Sequence, residues 1–287
     1  MDAITGGAIM YDPFATQHLI DLWLREDIGA CDLTVQLMID ADAMAHFHVN
    51  AREDMLVAGI EVAATVFRRY DPRCQVEVKV ADGARVTKGT VLADVKGPAQ
   101  SLLTAERTAL NILQRMCGIA TETAKYVDAI AGTKARLIDT RKTTPGLRML
   151  EKHAVTCGGG LNHRLGLDNG VMIKDNHIAV AGGIAAAVAR ARKHLPVLTK
   201  IEVECDRLDQ VRDAVAAGAD VIMLDNMSVA DMRDAVGIIG GKALVEASGG
   251  IRLETIRPIA ETGVNFISTS RITQSAKAVD IGLDDAI

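Results

Sequence analysis

After Gly132 the chain alternates short apolar runs with amphipathic, alanine-rich segments, and this alternation restricts its fold more than any other feature. The segments at residues 208–217 and 229–239 carry apolar residues at helical spacing. Continuous apolar strands joined by helices are typical of a parallel sheet that helices cover. The repetition predicts an α/β barrel, with candidate strands at residues 136–139, 171–174, 200–204, 221–225, 243–246 and 265–268.

The first part of the chain has a different pattern and predicts an α+β arrangement. Apolar residues at helical spacing indicate helices at residues 17–26 and 60–67, and the segment 43–52 between them reads as a strand. The alternating QVEVKV segment and the glycine turns after it predict short antiparallel strands. A long helical stretch runs from residue 99 to 130, and Gly118 predicts a break within it.

Polar residues recur where the candidate strands of the second part end. In α/β barrels the carboxyl ends of the strands form the rim at which catalysis takes place. We therefore interpret the strand-end residues as functional; they are Asp139, Thr140, Arg141, Lys142, Lys174, Glu204, Asp225, Glu246, Ser248, Ser268 and Ser270.

Cationic side chains are concentrated between Ile138 and His177, although the chain has a net charge of -5, from 32 Lys and Arg against 37 Asp and Glu. Arginine binds planar carboxylates with two hydrogen bonds, and lysine supplies a point charge for phosphate. Gathered among glycine-rich turns, such a set predicts a pocket for a small polyanion; its members are Arg141, Lys142, Arg148, His163, Arg164 and Lys174.

Charge and hydropathy argue against several classes of partner. No basic arm or block of like charge stands out, which disfavours nucleic acid and anionic membrane surfaces. No stretch approaches the ~20 apolar residues of a membrane span, and the amino-terminal MDAITGGAIMYDPF has neither a basic region nor an apolar run. The five cysteines are widely spaced and form no C-x-x-C pair, so reduced thiols are expected. These features predict a soluble, cytoplasmic protein.

Several residues have both a functional and a structural interpretation. Glu204 and Asp225 end neighbouring runs and would coordinate Mg²⁺, hold sugar hydroxyls or stabilise a positive charge; alternatively they cap helices or pair with lysines. His163 fits a substrate contact and a structural histidine equally well. Periodicity alone predicts that Arg107 is a solvated helix charge paired with a neighbouring carboxylate. The ASGGI segment offers glycine amides that open a helix, which is a phosphate-binding arrangement.

Three further residues are expected to have no role in chemistry. Cys157 lies beside the glycine run 158–160, and because no base for it is identifiable we expect a small buried cysteine. Lys152 and His153, within a predicted helix, are expected to be ordinary surface groups.

Longer phrases of the chain form an ordered set: EDIGACDLT, LTAERTALNILQRMCGIAT, DTRKTTPGLR, NHRLGL, IKDNHI, IEVE, MLDN and EASGGI. Together they closely resemble the quinolinate phosphoribosyltransferase family over nearly the whole chain. The resemblance implies an α/β protein with an amino-terminal α/β sandwich domain of α+β type and a long linking helix, residues 1–118, followed by an incomplete α/β barrel, residues 119–287, with the extreme termini free to pack across the boundary. It also implies a homodimer, or a higher homo-oligomer, in which one subunit's amino-terminal part covers the partner's barrel mouth.

The resemblance assigns roles to the rim residues. The implied quinolinate-binding set is Arg141, His163, Arg164 and Lys174, completed by Arg107 from the neighbouring subunit. The residues implied to face phosphoribosyl pyrophosphate and Mg²⁺ are Lys142, Glu204 and Asp225, with the two acids holding the metal directly or indirectly. The implied ribose-phosphate contacts are Ser248, Gly249 and Gly250 with Ser268 and Ser270, and Thr140 joins the substrate-binding residues. Many relatives have a glycine where this loop reads STS.

The implied activity is that of a pentosyltransferase of de novo NAD biosynthesis, which converts quinolinate and phosphoribosyl pyrophosphate to nicotinate mononucleotide, pyrophosphate and CO₂. Three alternatives stay open. A related phosphoribosyltransferase, such as the molybdenum-locus homologues, would act on another acceptor. An aldolase would form a Schiff base on Lys174 or Lys142. A non-catalytic module would bind anions only.

Overall fold

A computed structural model of the chain describes residues 11–286. The prediction that the chain has no targeting segment rests partly on residues 1–10, which lie outside the described residues. Up to residue 129 the elements are α1 (Pro13–Ile28), α2 (Leu33–Met38), β1 (Met44–Ala51), β2 (Met55–Leu56), α3 (Ile60–Tyr70), β3 (Gln75–Val78), β4 (Arg85–Val86), β5 (Val91–Pro98) and α4 (Ala99–Ala129). The remaining elements are β6 (Arg136–Ile138), α5 (Arg148–Cys157), β7 (Val171–Ile173), α6 (Asp175–Ala181), α7 (Ile184–His194), β8 (Ile201–Cys205), α8 (Leu208–Ala216), β9 (Val221–Asp225), α9 (Val229–Ile239), β10 (Leu244–Ser248), α10 (Ile256–Ala260), β11 (Phe266–Ser268), α11 (Arg271–Gln274) and β12 (Ile281–Asp285).

Contacts divide these elements into two compact units that interleave along the chain. The first unit contains described residues up to Ala124 together with Thr144–Gly159 and the carboxyl-terminal segment from Ser275. The second contains Lys125–Thr143 and Gly160–Gln274. The domain division 1–118 and 119–287 stays a prediction.

The first unit is built on an antiparallel sheet with strand order β12-β1-β5-β3. Every second residue of β1, such as Val49 and Ala51, is apolar and points to the same face of the sheet. This face packs on helices through a buried cluster that includes Phe67, Leu102 and Leu110. Helix α1 begins earlier than the sequence predicts, because Pro13 occupies its first turn and the Asp12 side chain accepts the backbone N–H of Phe14 (2.9 Å).

The predicted break at Gly118 is wrong, since α4 continues through this position without interruption. A Cβ at Gly118 would overlap the backbone carbonyl of Lys277, which lies against the helix. Glycine is therefore required here by the close approach of another segment, and the helical conformation is retained.

The second unit confirms the predicted α/β fold. Its six parallel strands follow the order β6-β11-β10-β9-β8-β7, and each begins and ends close to the predicted residues. Residues such as Val203, Ile222 and Leu224 are buried because helices cover the sheet. Strands β6 and β7 are the two edges among the described strand pairs, as expected of an incomplete barrel.

Helix α5 belongs to the first unit and contradicts the prediction that Lys152 and His153 are surface groups. Both are buried, as is their neighbour Glu151 (0%, 3% and 1% exposed, respectively). Arg115 of α4 binds Glu151 through Nε and Nη2 at 3.1 and 2.9 Å, and Asp82 binds His153 at 2.8 Å. These partners come from distant parts of the sequence, so the pattern within α5 could not reveal them.

Across residues 11–286, every helix is too short or too polar to cross a lipid bilayer.

Candidate active site

A pocket of about 710 Å³ opens at the carboxyl ends of the parallel strands in the second unit. It brings together nearly all the rim residues that the sequence singled out. Those that line it are Thr140, Arg141, Lys142, His163, Arg164, Lys174, Glu204, Asp225, Glu246, Ser248, Gly249, Gly250, Ser268 and Ser270, with Arg271 and Asn226 in addition.

Two guanidinium groups lie close enough in this pocket to influence each other. Burial, followed by the charge of Arg141, lowers the pKa of Arg164. The Arg164 side chain donates to the backbone carbonyl of Gly170 (3.2 Å), which fixes its direction. Two cations held together favour an anionic ligand, since a bound carboxylate or phosphate relieves their repulsion.

The acids of the rim are engaged by neighbouring side chains. The ammonium of Lys174 forms a short ion pair with Glu204, whose side chain is 18% exposed. Asp225, at the end of the adjacent strand β9, accepts the side-chain amide of Asn226 (2.7 Å). Both carboxylates retain oxygen atoms that can coordinate a metal ion or accept from sugar hydroxyls.

The segment after β10 forms a tight turn, and the expectation that it opens a helix is wrong. Gly249 and Gly250 both have positive φ (91° and 62°), and α10 begins only at Ile256. A side chain at Gly249 would overlap Asn226, which itself holds the left-handed conformation (φ 54°). Because Gly249 and Gly250 carry no side chains, the backbone itself forms this edge of the pocket, which supports a binding role for it.

Ser248 and Ser268 join two neighbouring strand ends on the same rim. The Ser268 hydroxyl donates to the Ser248 hydroxyl at 3.0 Å, and strands β10 and β11 are paired directly below them. In the next loop Thr269 donates to the backbone carbonyl of Ile251 (3.2 Å). These bonds hold a group of hydroxyls and glycine backbone at one side of the pocket, which suits a phosphate.

The floor of the pocket contains a histidine between two buried carboxylates. His163 Nε2 lies 3.0 Å from Glu202 Oε2 and 3.5 Å from Glu246 Oε2. The charges of Glu202 and Glu246 favour a proton on the facing nitrogen of His163, and burial raises the pKa of Glu246 to about 7. The backbone N–H of Arg164 faces Nδ1 at 2.7 Å and opposes a proton there, so the proton shared with the carboxylates is the one on Nε2.

Asp139 positions the loop that carries His163. Its carboxylate, fully buried at the end of β6, accepts the backbone N–H of His163 (2.8 Å) and the side-chain amide of Asn162 (2.7 Å). A buried carboxylate that receives such bonds is a rigid anchor. The His163 ring therefore has a defined position above Glu202 and Glu246.

Two predicted cations lie elsewhere. Arg107 is exposed on α4 in the first unit, with Nη2 at 3.7 Å from Glu106, and it does not line the pocket of its own chain among the described residues. Arg148 begins α5 in the first unit and is likewise absent from the described lining, so its assignment to the polyanion pocket stays a prediction.

Sequence reasoning missed Glu202 and Asn226. Glu202 and Glu204 are two residues apart on β8 and therefore face the same side of the sheet. An acid two residues before a rim acid, in a strand that is otherwise apolar, was the sequence signal that could have placed Glu202 at the floor of the pocket. Nothing in the sequence indicated the left-handed backbone of Asn226, although asparagine tolerates that conformation better than most residues.

The fold and the pocket define a protein of the α/β-barrel class whose charged pocket lies at the carboxyl ends of the strands. Models of the quinolinate phosphoribosyl transferase amino-terminal and carboxyl-terminal domains match residues 32–117 and 119–284. The chain belongs to the quinolinate phosphoribosyltransferase family.

Individual relatives agree with this assignment over almost their whole length. A probable carboxylating nicotinate-nucleotide pyrophosphorylase of Synechocystis is 46% identical over 272 residues, covering 93% of this chain and 90% of the relative. The Bacillus subtilis protein of the same name is 43% identical and covers 93% and 92%. The nicotinate-nucleotide pyrophosphorylase structure from Francisella tularensis is similar with a TM-score of 0.91 and 42% identity, covering 96% and 98%.

Proposed function

We propose that the protein transfers the phosphoribosyl group of phosphoribosyl pyrophosphate to quinolinate, forming nicotinate mononucleotide, pyrophosphate and CO₂ in de novo NAD biosynthesis. The observation that carries the proposal is the pocket in which cations, strand-end acids and a glycine turn converge. It lies in a chain of the family whose relatives are named for this reaction.

The cationic side of the pocket supports quinolinate binding. Arg141 and Arg164 present guanidinium groups that suit the two carboxylates of this substrate, and Lys174 adds a point charge. His163, held by Glu202 and Glu246, fixes one wall beneath them. Such an arrangement orients the pyridine nitrogen, and orientation of two reactants is worth several orders of magnitude in rate.

The acidic and glycine-rich side supports binding of phosphoribosyl pyrophosphate. Ser248, Gly249 and Gly250, with Ser268 and Ser270, would contact the ribose phosphate, while Thr140 and Lys142 lie beside them on the rim. Mg²⁺ is commonly bound through one or two carboxylates together with substrate phosphates, and Glu204 and Asp225 supply oxygens of that kind. When bound, the metal neutralises charge on the departing pyrophosphate.

The reaction follows from these contacts. The pyridine nitrogen attacks the anomeric carbon of the ribose as the bond to pyrophosphate breaks, and Lys142 offsets the charge of the leaving group. The pyridinium ring then accepts the electron pair released when the adjacent carboxylate leaves as CO₂, and the ring carbon takes up a proton. Glu204 and Asp225 stabilise the positive charge that develops on the sugar.

The proposed role of Arg107 requires a second copy of the chain. It is exposed and lies outside its own chain's pocket, so we propose that it completes the quinolinate site of a second copy in a homodimer or a larger homo-oligomer. Small-molecule substrates are the proposed partners, with no role for nucleic acid or membrane, and the cytoplasm is the proposed compartment.

The decisive experiment measures CO₂ released from carboxyl-labelled quinolinate. We expect release that requires phosphoribosyl pyrophosphate and Mg²⁺ and that yields one nicotinate mononucleotide per CO₂. Binding of quinolinate without turnover would support an anion-binding module, and turnover only with a competing acceptor would support a related transferase. Borohydride trapping of a carbonyl substrate would support an aldolase, which the ion pair between Lys174 and Glu204 disfavours because a Schiff base needs an uncharged amine.

A further inference from the structure

Three metal-ligating side chains converge in the first unit, and the proposed reaction uses none of them. Cys157 Sγ lies 3.5 Å from His153 Nε2, and His153 Nε2 lies 2.8 Å from Asp82 Oδ2. The third edge, from Cys157 Sγ to Asp82 Oδ2, measures 4.0 Å. The thiol, the imidazole and the carboxylate therefore surround one point in space. The expectation that no base accompanies Cys157 is wrong, since His153 is its neighbour.

The fold holds the three groups in place before any ligand binds. His153 and Cys157 are four residues apart on α5, so they share one face of the helix. Asp82 precedes β4, and its Oδ1 accepts the backbone N–H of Ile60 at the start of α3 (3.1 Å). This bond leaves Oδ2 directed at the histidine. The Tyr11 ring packs edge-on against the imidazole, with centroids 5.1 Å apart.

We propose that Asp82, His153 and Cys157 form a binding site for a divalent transition metal, with Zn²⁺ as the ion that fits best. A tetrahedral zinc ion bound to sulfur, nitrogen and oxygen separates these atoms by about 3.3–3.6 Å. The three edges average within that range, and changes of about 0.5 Å would complete the geometry. The site is independent of the proposed phosphoribosyl transfer.

Charge favours this cluster over a second one in the same unit. A thiolate and a carboxylate neutralise a divalent cation, so the occupied site of Asp82, His153 and Cys157 has no net charge to bury. His46, His48 and Asp94 also form a potential ligand group. There, however, Asp94 is the one carboxylate in the group that would face the ion, and it already binds the Lys79 ammonium (3.0 Å), so a divalent ion would keep a net positive charge.

Binding must displace a proton. Burial, followed by the charge of Asp82, raises the pKa of the Cys157 thiol to about 12, so the thiol is protonated without metal. When the metal–sulfur bond forms, the S–H proton passes to solvent, and the sulfur binds as thiolate. The His153 side chain is 4% exposed and that of Asp82 24%, so an ion would enter past the carboxylate. Affinity should therefore increase as the pH rises.

The test uses Co²⁺ as a spectroscopic substitute for Zn²⁺ on the full chain, after chelation and under reducing, oxygen-free conditions. We expect one equivalent of Co²⁺ to produce the intense visible bands of tetrahedral cobalt and a thiolate-to-cobalt charge-transfer band in the near ultraviolet, and one equivalent of Zn²⁺ to remove them. A site at His46, His48 and Asp94 contains no sulfur and cannot give the charge-transfer band. Absence of the charge-transfer band in the wild-type protein would overturn the proposal.

Variants assign the signal to residues. Changes around a metal ligand commonly cost 10–100-fold in affinity, so Cys157→Ser and His153→Asn are each expected to weaken Zn²⁺ binding by about 100-fold or more. Cys31→Ser is the matched control, because this half-buried thiol lies outside the cluster. Retention of the charge-transfer band in a folded Cys157→Ser protein would reject the site. Should a variant fail to fold, the wild-type chain provides a second readout: Zn²⁺ should protect one thiol against modification by a thiol reagent.

Discussion

The charged groups on the barrel rim and those on α5 are the same kinds of side chain in opposite surroundings. On the rim Arg141 and Lys142 are exposed and line an open pocket. On α5 Glu151 is buried and accepts bonds from Arg115 and from both the backbone N–H and the hydroxyl of Thr144 (3.2 and 2.7 Å). The rim charges therefore border an open pocket that can receive a ligand, whereas Glu151 on α5 is buried among its partners inside the protein. Removing one should damage activity in the first case and folding in the second.

The largest expected effect is on a rim cation. Arg141→Ala should lower kcat/KM for quinolinate by about 10³-fold, because a charge-assisted clamp on the substrate is lost. The free energy of unfolding should change by less than about 0.5 kcal/mol, since the side chain is exposed. Steady-state kinetics and urea denaturation measure the two quantities. Arg212→Ala, an exposed change on α8, is the control and should alter neither; an equal loss in both variants would contradict a specific site.

A slightly smaller effect tests whether the rim is completed by a second copy. Arg107→Ala and Lys174→Ala should each be nearly inactive alone. Random mixing should place one intact site in each heterodimer and restore about one quarter of wild-type activity, because half of the dimers are mixed and each has one good site. Activity after subunit exchange, verified by mass spectrometry, measures the rescue. No rescue in mixed dimers would reject a shared site.

The opposite side of the comparison is tested on α5. Arg115→Met should lower the free energy of unfolding by about 3 kcal/mol, because it leaves the buried Glu151 carboxylate without its cation. Arg68→Met removes an exposed ion pair with Glu61 and should cost less than about 1 kcal/mol. Chemical denaturation of both proteins measures the difference. Equal effects would mean that burial of the α5 pair does not matter.

The smallest effect concerns Glu246, which lies below the rim but is buried. Its pKa rises from 4.5 to about 7 on folding, so the fold favours the protonated form. The stability that folding gains from the protonated Glu246 is fully present below pH 4.5, the pKa of this group in the unfolded chain, and is lost as the pH rises through 7. Glu246→Gln should therefore gain stability relative to wild type between pH 5 and pH 8, on the order of 1–3 kcal/mol. Denaturation at several pH values checks this, with exposed Glu254→Gln as control; parallel curves for Glu246→Gln and wild type would contradict it.

Local pattern was sufficient for the barrel and for its rim. Strand β9 lies where the run VIMLD predicted it, and α9 spans the predicted 229–239. Strand ends such as Glu204 and Asp225 meet at one pocket because parallel strands place their carboxyl ends at the same edge. The spacing of apolar residues locates each strand locally, and the parallel topology then brings the strand ends close together.

Contacts between distant segments were beyond that pattern. Gly118 lies inside a helix because the Lys277 backbone needs the space, and His153 is buried because Asp82, 71 residues away, binds it. Glu202 was part of a recognised strand, yet its burial against His163 depends on a loop anchored by Asp139. In each case the deciding partner has no fixed spacing in the chain.

The amino-acid sequence by itself determined the alternation of strands and helices, the family and the set of rim residues, because hydrophobic spacing and short motifs are written along the chain. Tertiary structure alone decided which charged side chains remain open to a ligand and which are neutralised inside. The physical reason is that burial of a charge is tolerated only beside a compensating group, and the fold supplies that group from residues far apart in sequence.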